Sequence, residues 1–159
     1  MRISLEPIGY VRNSRVEVQD DNWGGVVSEI VIEEGMGAEA LAGIEEFSHA
    51  EVIFYFHGVD EGKIVTGTRR PRNNPAWPRV GILAQRGKNR PNRLGLTTAM
   101  IVACEDNVLR VQGLDAIDGT PVLDIKPMMR EFLPRGEMRQ PAWATELMRE
   151  YWSAGRSGT

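Results

Sequence analysis

The sequence holds one cysteine, Cys104, and two histidines, His49 and His57. A lone thiol closes no disulfide within the chain, and this set matches no zinc-ligand spacing, so no metal is expected. Cys104 follows an apolar run and reads as a small packing residue rather than a nucleophile. No apolar stretch approaches the roughly 20 residues that span a bilayer. Met1-Arg2-Ile3-Ser4-Leu5-Glu6-Pro7 lacks the apolar region of a signal peptide. These absences point to a reducing, cytoplasmic setting without a membrane partner. No Gly-x-Gly-x-x-Gly follows a strand-like run and no Walker-type loop occurs, which disfavours a Rossmann fold and a P-loop enzyme.

What is present is a soluble-type composition over 159 residues, enough for one domain with one core. The net charge of −3 conceals an asymmetry. Positions 66–95 carry eight Arg/Lys and no Asp/Glu, which leaves eleven Arg/Lys against all 22 Asp/Glu elsewhere. Like charges in one segment repel, so an anionic partner would explain the cluster; a solvated face is the alternative. The densest part begins as an apolar strand, Val80 to Ala84. It runs into a loop with Arg86, Lys88, Asn89, Arg90, Asn92 and Arg93. Pro91 fixes one backbone angle, while Gly87 and Gly95 permit angles that other residues avoid. Arg and Asn together suit phosphate, carboxylate or a base edge. The preceding 62–79 holds Pro71, Pro75 and Pro78 with Arg69, Arg70 and Arg72. It excludes a helix interior or a central strand, and could close over an anion or follow a nucleic acid backbone.

Periodicity predicts mostly strands. Ile3 to Arg12 alternates, with interruptions at Pro7 and Gly9, and suggests a kinked or edge strand. Val26 to Glu33 alternates and is rich in β-branched residues. Ala38 to Glu46 has helix formers and predicts a short helix. Glu51 to Gly58 is apolar on both faces and should be central, with His57 at its end. Leu96–Cys104 and Val108–Gly113 flank Glu105-Asp106-Asn107 as an antiparallel hairpin. A turn at Asp118-Gly119 precedes a short strand, Val122 to Ile125. Pro141 suits a first helical residue, and Trp143, Leu147, Met148 and Tyr151 share one face of about three turns, followed by a disordered end from Ser153. Trp23 beside Gly24-Gly25 is either a core cap or a wall for a flat ligand. The expected fold is mainly β: a small single-sheet β-barrel over 1–134, with short helices. A C-terminal amphipathic helix and tail over 135–159 would pack on it.

Two segments carry a resemblance. Arg86-Gly-Lys-Asn-Arg-Pro-Asn-Arg-Leu-Gly-Leu96 resembles an Arg-Ser-x-x-Arg-Pro-Asn-Pro-Ile-Gly-Leu/Met motif. Leu114-Asp-Ala-Ile-Asp-Gly-Thr-Pro-Val-Leu-Asp-Ile-Lys-Pro127 is similar to Leu-Asp-x-x-Asp-Gly-Thr-Pro-Val-x-Asp-Ile-Lys-Pro-Tyr. Pro7–Arg12, Gly43–His49 and Phe54–His57 also match. Both motifs belong to the TsaA-like (YaeB-like) family, and the resemblance covers residues 5 to about 128. Arg93 stands where the family has proline, Met128 where it has tyrosine, and many bacterial members carry a second, C-terminal domain.

The resemblance implies a homodimeric β-barrel that binds S-adenosylmethionine near the subunit interface and N6-methylates threonylcarbamoyl-adenosine beside the tRNA anticodon. It places the cofactor at His57, Gly58, Arg86, Leu96 and the turn Gln112, Gly113, Leu114, Asp115. Asn22 and Trp23, with Asp21, align with a further cofactor segment by spacing. Arg86 suits the cofactor carboxylate, Leu96 and Trp23 an apolar wall. Asp118 or Asp124, or else water, is the candidate acceptor of the N6 proton. Arg69, Arg70, Arg72, Lys88, Arg90, Asn92, Arg93 and Lys126 are candidates to hold RNA or shape the loop. Two other readings stand beside this one: a barrel that binds S-adenosylmethionine or RNA without catalysis, and a methyltransferase for a small molecule or protein.

Overall fold

Alternation of inward and outward side chains builds this chain. The computed structural model describes residues 1–154. Its strands are β1 (Gly9–Arg12), β2 (Val27–Ile32), β3 (His49–Tyr55), β4 (Thr68–Arg69), β5 (Val80–Gly81), β6 (Leu94–Glu105), β7 (Val108–Gln112) and β8 (Pro121–Pro127). Six of them close into one antiparallel barrel in the order β1-β2-β7-β6-β3-β8, with β8 pairing back onto β1. Closure removes the free edges that an open sheet would expose. The single-sheet barrel is as expected. β3 pairs with β6 from His49↔Met100 to Tyr55↔Leu94 and with β8 on its other side, but in a closed barrel it is no more central than its neighbours, and only its inner face is fully buried.

The core is the set of inward positions on these strands. Val11, Ile30, Ile32, Ala50, Val52, Phe54, Ala99, Leu109, Val111 and Val122 are buried, joined by Leu114 and Ala116 from the β7–β8 connection. Ser28 also points in, and its hydroxyl accepts a 2.9 Å hydrogen bond from Asn13 Nδ2. Cys104 packs on the core's margin; burial, with the Glu45 charge adding, pushes its thiol pKa up. That suits a packing residue, not a nucleophile.

Several elements differ from expectation for local reasons. Residues 3–8 are not strand; β1 begins at Gly9, and beyond it Ile8 still donates its N–H to the Val122 carbonyl and accepts the Glu33 N–H. Ala38–Glu46 is two 3-10 turns, Ala38–Leu41 and Ile44–Glu46: Ala42, with its extended ψ of 125°, ends the first, and Gly43 at φ 83° starts the second. Val80 to Ala84 is a two-residue strand followed by a 3-10 turn, Ile82–Ala84. β4 pairs with β5, so the proline-rich stretch contains a small ribbon rather than loop alone. The C-terminal helix α1 is Ala142–Leu147, shorter than three turns, with Pro141 at its N-cap. Ser153 is hydrogen-bonded rather than disordered; 155–159 of the expected disordered end lie outside the described residues.

Candidate functional site

The site grows from two neighbouring residues of β6. The inward Thr97 donates its hydroxyl to Asp115 Oδ1. The carbonyl of the next residue back, Leu96, accepts from the Arg86 guanidinium. The basic loop and the Leu114-Asp115 turn are thus fastened to one point of the barrel. The second oxygen of Asp115, Oδ2, accepts from the Tyr151 hydroxyl. Gly113 makes the turn after β7 at φ 79°, where a glycine pays no Cβ penalty, and its N–H donates to the Val26 carbonyl at 3.0 Å. Gln112 Nε2 donates to the Gly24 carbonyl at 2.8 Å.

Asn22 and Trp23 complete this patch. Asn22 adopts φ 66°, a left-handed angle that asparagine tolerates. Trp23 is buried, and the Arg15 guanidinium lies 4.5 Å from its ring centroid. Asp21 takes a two-pronged bond from Arg72 at 2.7 and 3.1 Å. The segment after α1 lies against these residues. The Asn22 N–H donates to the Glu150 carbonyl at 3.0 Å and the Trp23 N–H to the Tyr151 carbonyl at 2.8 Å. Ser153 donates to Asn22 Oδ1. Gly24 meets the Trp152 carbonyl so closely that a Cβ there would collide with it. Trp77 Nε1 donates to Glu146 at 2.8 Å, which ties the proline-rich stretch to α1.

Burial, and then the charge and hydrogen bond of Asp115, push the Tyr151 pKa far up; Arg86 and Arg72 act in the opposite sense. The stability consequence has a definite sign. Below pH ~10 a tyrosine is protonated in native and unfolded chains alike. Above it the unfolded chain releases a proton that native Tyr151 keeps, so unfolding becomes easier as pH rises. Denaturation series from pH 9 upward should show Tyr151→Phe losing less stability per pH unit than the native chain, by up to about 1.4 kcal/mol. Parallel pH profiles would contradict the burial of this hydroxyl.

His57 and Gly58 leave β3 toward the Asp118-Gly119 turn. His57 Nε2 faces Gly119, and Gly58 faces Ile117. Asp118 Oδ1 accepts the Asn13 N–H at 3.0 Å, so part of this carboxylate shapes the turn. Asp124 stands apart: it pairs with Lys126 at 2.8 Å and accepts the Ile125 N–H. The Asp124 hydrogen bond and charge raise the Lys126 pKa.

The basic segment is not a bare cationic face. Arg70 donates to the Trp77 carbonyl and Arg90 to the Gln85 carbonyl at 2.8 Å. Arg93 donates to the Val59 carbonyl at 3.0 Å, pairs with Glu61 at 3.3 Å and stacks 4.8 Å from the Tyr55 ring centroid. Arg72 is taken by Asp21, and buried Arg69 Nε has no partner among the described residues. These arginines hold loops, while Lys88 and Asn92 border solvent. An open concavity of about 410 Å³, bordered by Tyr10, Arg12, Glu33 and Asn107, contains none of the candidate residues. Among the described residues no helix is long and apolar enough to cross a membrane, and no three His/Cys/Asp/Glu gather as metal ligands. Thr97, Tyr151 and Arg15 have no motif signal in the sequence.

Fold and site together define a small, non-Rossmann antiparallel barrel on which the Arg86 loop and the Leu114-Asp115 turn meet at one patch. Residues 10–132 match the family described as the tRNA-methyltransferase O N-terminal domain, and the chain belongs to it. It is 34% identical over 130 residues to a probable S-adenosyl-L-methionine-binding protein of Methanothermobacter thermautotrophicus, covering 80% of this chain and 90% of that protein. It is 40% identical over 93 residues to the mouse tRNA (adenine(37)-N6)-methyltransferase, covering 58% of this chain and 21% of that protein. The chain thus spans about a fifth of that relative's length. The crystal structure of TrmO from Pseudomonas aeruginosa superposes with a TM-score of 0.69 at 28% identity, over 87% of this chain and 62% of that one.

Proposed function

We propose that this protein is an S-adenosylmethionine-dependent methyltransferase that acts on tRNA, at N6 of the adenosine beside the anticodon, with threonylcarbamoyl-adenosine as the acceptor. The observation that carries the reading is convergence. Segments 21–24, Arg86, Leu96–Thr97 and Gln112–Asp115 are far apart in sequence, and they meet through the bonds at Asp115, Leu96 and Gly24. The family and the names of its relatives supply the chemistry. Transfer is an in-line displacement: the N6 lone pair attacks the methyl carbon, the sulfur–carbon bond breaks, and S-adenosylhomocysteine leaves. The N6 proton goes to a base or to water. Positioning does most of this work. Asp118 is the better candidate base of the two, since it borders His57's turn while Asp124 is held by Lys126.

The exposed side of β6 supports a homodimer. Leu94, Leu96, Met100 and Val102 are 39–48% exposed along one strand face, an apolar stripe of the kind that a second copy covers. Leu96 belongs to both stripe and site, so a partner would border the cofactor. Sedimentation velocity should give a dimer; a monomer at micromolar concentration would count against it. A cytoplasmic location fits a tRNA substrate.

The test is calorimetric titration with S-adenosylmethionine, followed by transfer of a labelled methyl group to tRNA. Arg86→Ala removes a charged donor worth about 1.5–3 kcal/mol, so affinity should fall about tenfold or more. Asp118→Asn keeps the oxygen that accepts Asn13 and loses the charge, so turnover should fall while binding holds; Asp124→Asn should change neither. Binding without transfer to any RNA would favour the non-catalytic module.

A further inference from the structure

Asp115 has an unusual set of neighbours for a carboxylate. Each of its oxygens takes one hydroxyl, Thr97 on Oδ1 and Tyr151 on Oδ2. Among the described residues it makes no ion pair. Two neutral donors fix its orientation, leave lone pairs free on both oxygens, and do not neutralise its charge. A half-buried carboxylate in that condition is set to receive a cation. Beside it, fastened one residue along β6 at Leu96, stands Arg86. One of the five guanidinium N–H groups satisfies that carbonyl, and the rest can meet an anion. A carboxylate and a guanidinium held at successive residues of one strand match the ammonium and carboxylate of an amino acid.

We propose that Tyr151 is a positioning residue that, through Asp115, aims a carboxylate at the ammonium of the amino-acid end of S-adenosylmethionine, with Arg86 meeting the carboxylate of the same end. The inference rests on the cofactor reading above and adds which end of the cofactor lies under the C-terminal segment. The Tyr151 hydroxyl is not what keeps that segment in place. Backbone bonds from Asn22 and Trp23, the Ser153 hydroxyl and the close approach at Gly24 do so independently. Removing the hydroxyl therefore tests its effect on Asp115 rather than attachment of the segment.

The full chain and its Tyr151→Phe variant are titrated with S-adenosylmethionine and with 5′-methylthioadenosine, which keeps adenine, ribose and sulfur but has no amino acid. The variant should bind S-adenosylmethionine about tenfold more weakly, the loss of one charge-assisted hydrogen bond. Its affinity for methylthioadenosine should stay within about twofold, a split that a merely structural role would not produce. Asp115→Asn should lose the same preference, and the double variant little more than either alone, as expected for residues acting as a unit. Equal weakening for both ligands, no change, or tighter binding by Tyr151→Phe would each overturn the assignment while leaving the cofactor reading intact. Failure of the native chain to bind either ligand would sink the cofactor reading, and this inference with it.

Discussion

A Gly95→Ala variant should lose about 3 kcal/mol of stability, although the change adds one methyl group. Gly95 lies on the inner face of β6, opposite Phe54 on β3. Phe54 is buried, and its ring occupies the place where a Gly95 side chain would point: a Cβ there would meet three ring carbons, Cδ2 at 2.8 Å. Real Cβ contacts do not come so close, and neither partner can yield cheaply. The ring is enclosed by the core and packs edge-on to Phe56 at 5.2 Å. The Gly95 backbone is pinned in the ladder. Overpacking of this kind costs about 1–3 kcal/mol, and more where rotamers are locked. Against a typical total of about 5–15 kcal/mol the loss should appear as a clear drop in the urea midpoint with an unchanged slope. Phe54→Leu in the Gly95→Ala background should recover part of it, because it removes the ring atoms that collide. A Gly95→Ala chain as stable as the native one would mean that β3 and β6 are not packed as described.

Much of the barrel was legible because β periodicity leaves a strong trace when one face is buried. Ile30 and Ile32, then Val52 and Phe54, and Leu109 and Val111, are each two apart, and all are buried. What periodicity could not show is where pairing stops. Ile3 and Leu5 alternate as well as any strand, yet β1 begins at Gly9, which aligns with Ile32 at the end of β2. The expected helix over 38–46 failed at two successive residues, the extended Ala42 and the left-handed Gly43, which outweighed the propensity of their neighbours.

The site divides along the same line. Arg86, Asp115 and the Asp118-Gly119 turn were legible because they sit in motifs with fixed spacing. Tyr151 was not: it is 36 positions from Asp115, and its helical spacing from Leu147 marks it as one more residue of an apolar stripe. The basic segment was legible as a cluster of charge but not in its bonding. A run of arginines without carboxylates reads as a surface awaiting a polyanion. Most of the guanidiniums also bond to backbone carbonyls, at Trp77, Gln85, Leu96 and Val59, which orients them without neutralising their charge. Carbonyls belong to every residue, so composition cannot reveal them as partners. Asp20, Asp21 and Glu61, which do carry charge, lie outside the run.

Position 93 makes the sharpest case, because family pattern and local geometry disagree there. Restoring the family's proline by Arg93→Pro should destabilise this chain by about 3 kcal/mol or more. Arg93 has φ 51°, in the left-handed region. The proline ring holds φ near −65°, so the residue cannot enter that region without moving the loop. Its N–H donates to the Arg90 carbonyl at 3.0 Å, a bond that proline lacks. The substitution also discards the guanidinium's bond to Val59 and its stacking on Tyr55. Glycine separates these losses. Arg93→Gly keeps the N–H and adopts positive φ freely, so it forfeits only the side-chain contacts, about 1–2 kcal/mol. The difference between the two variants in chemical denaturation is then the cost of the backbone, and it should exceed 1 kcal/mol. If Arg93→Pro matches Arg93→Gly, the loop can take up the proline geometry. The bend that carries Arg90's neighbours back toward β6 would then be set by the family motif and not by Arg93.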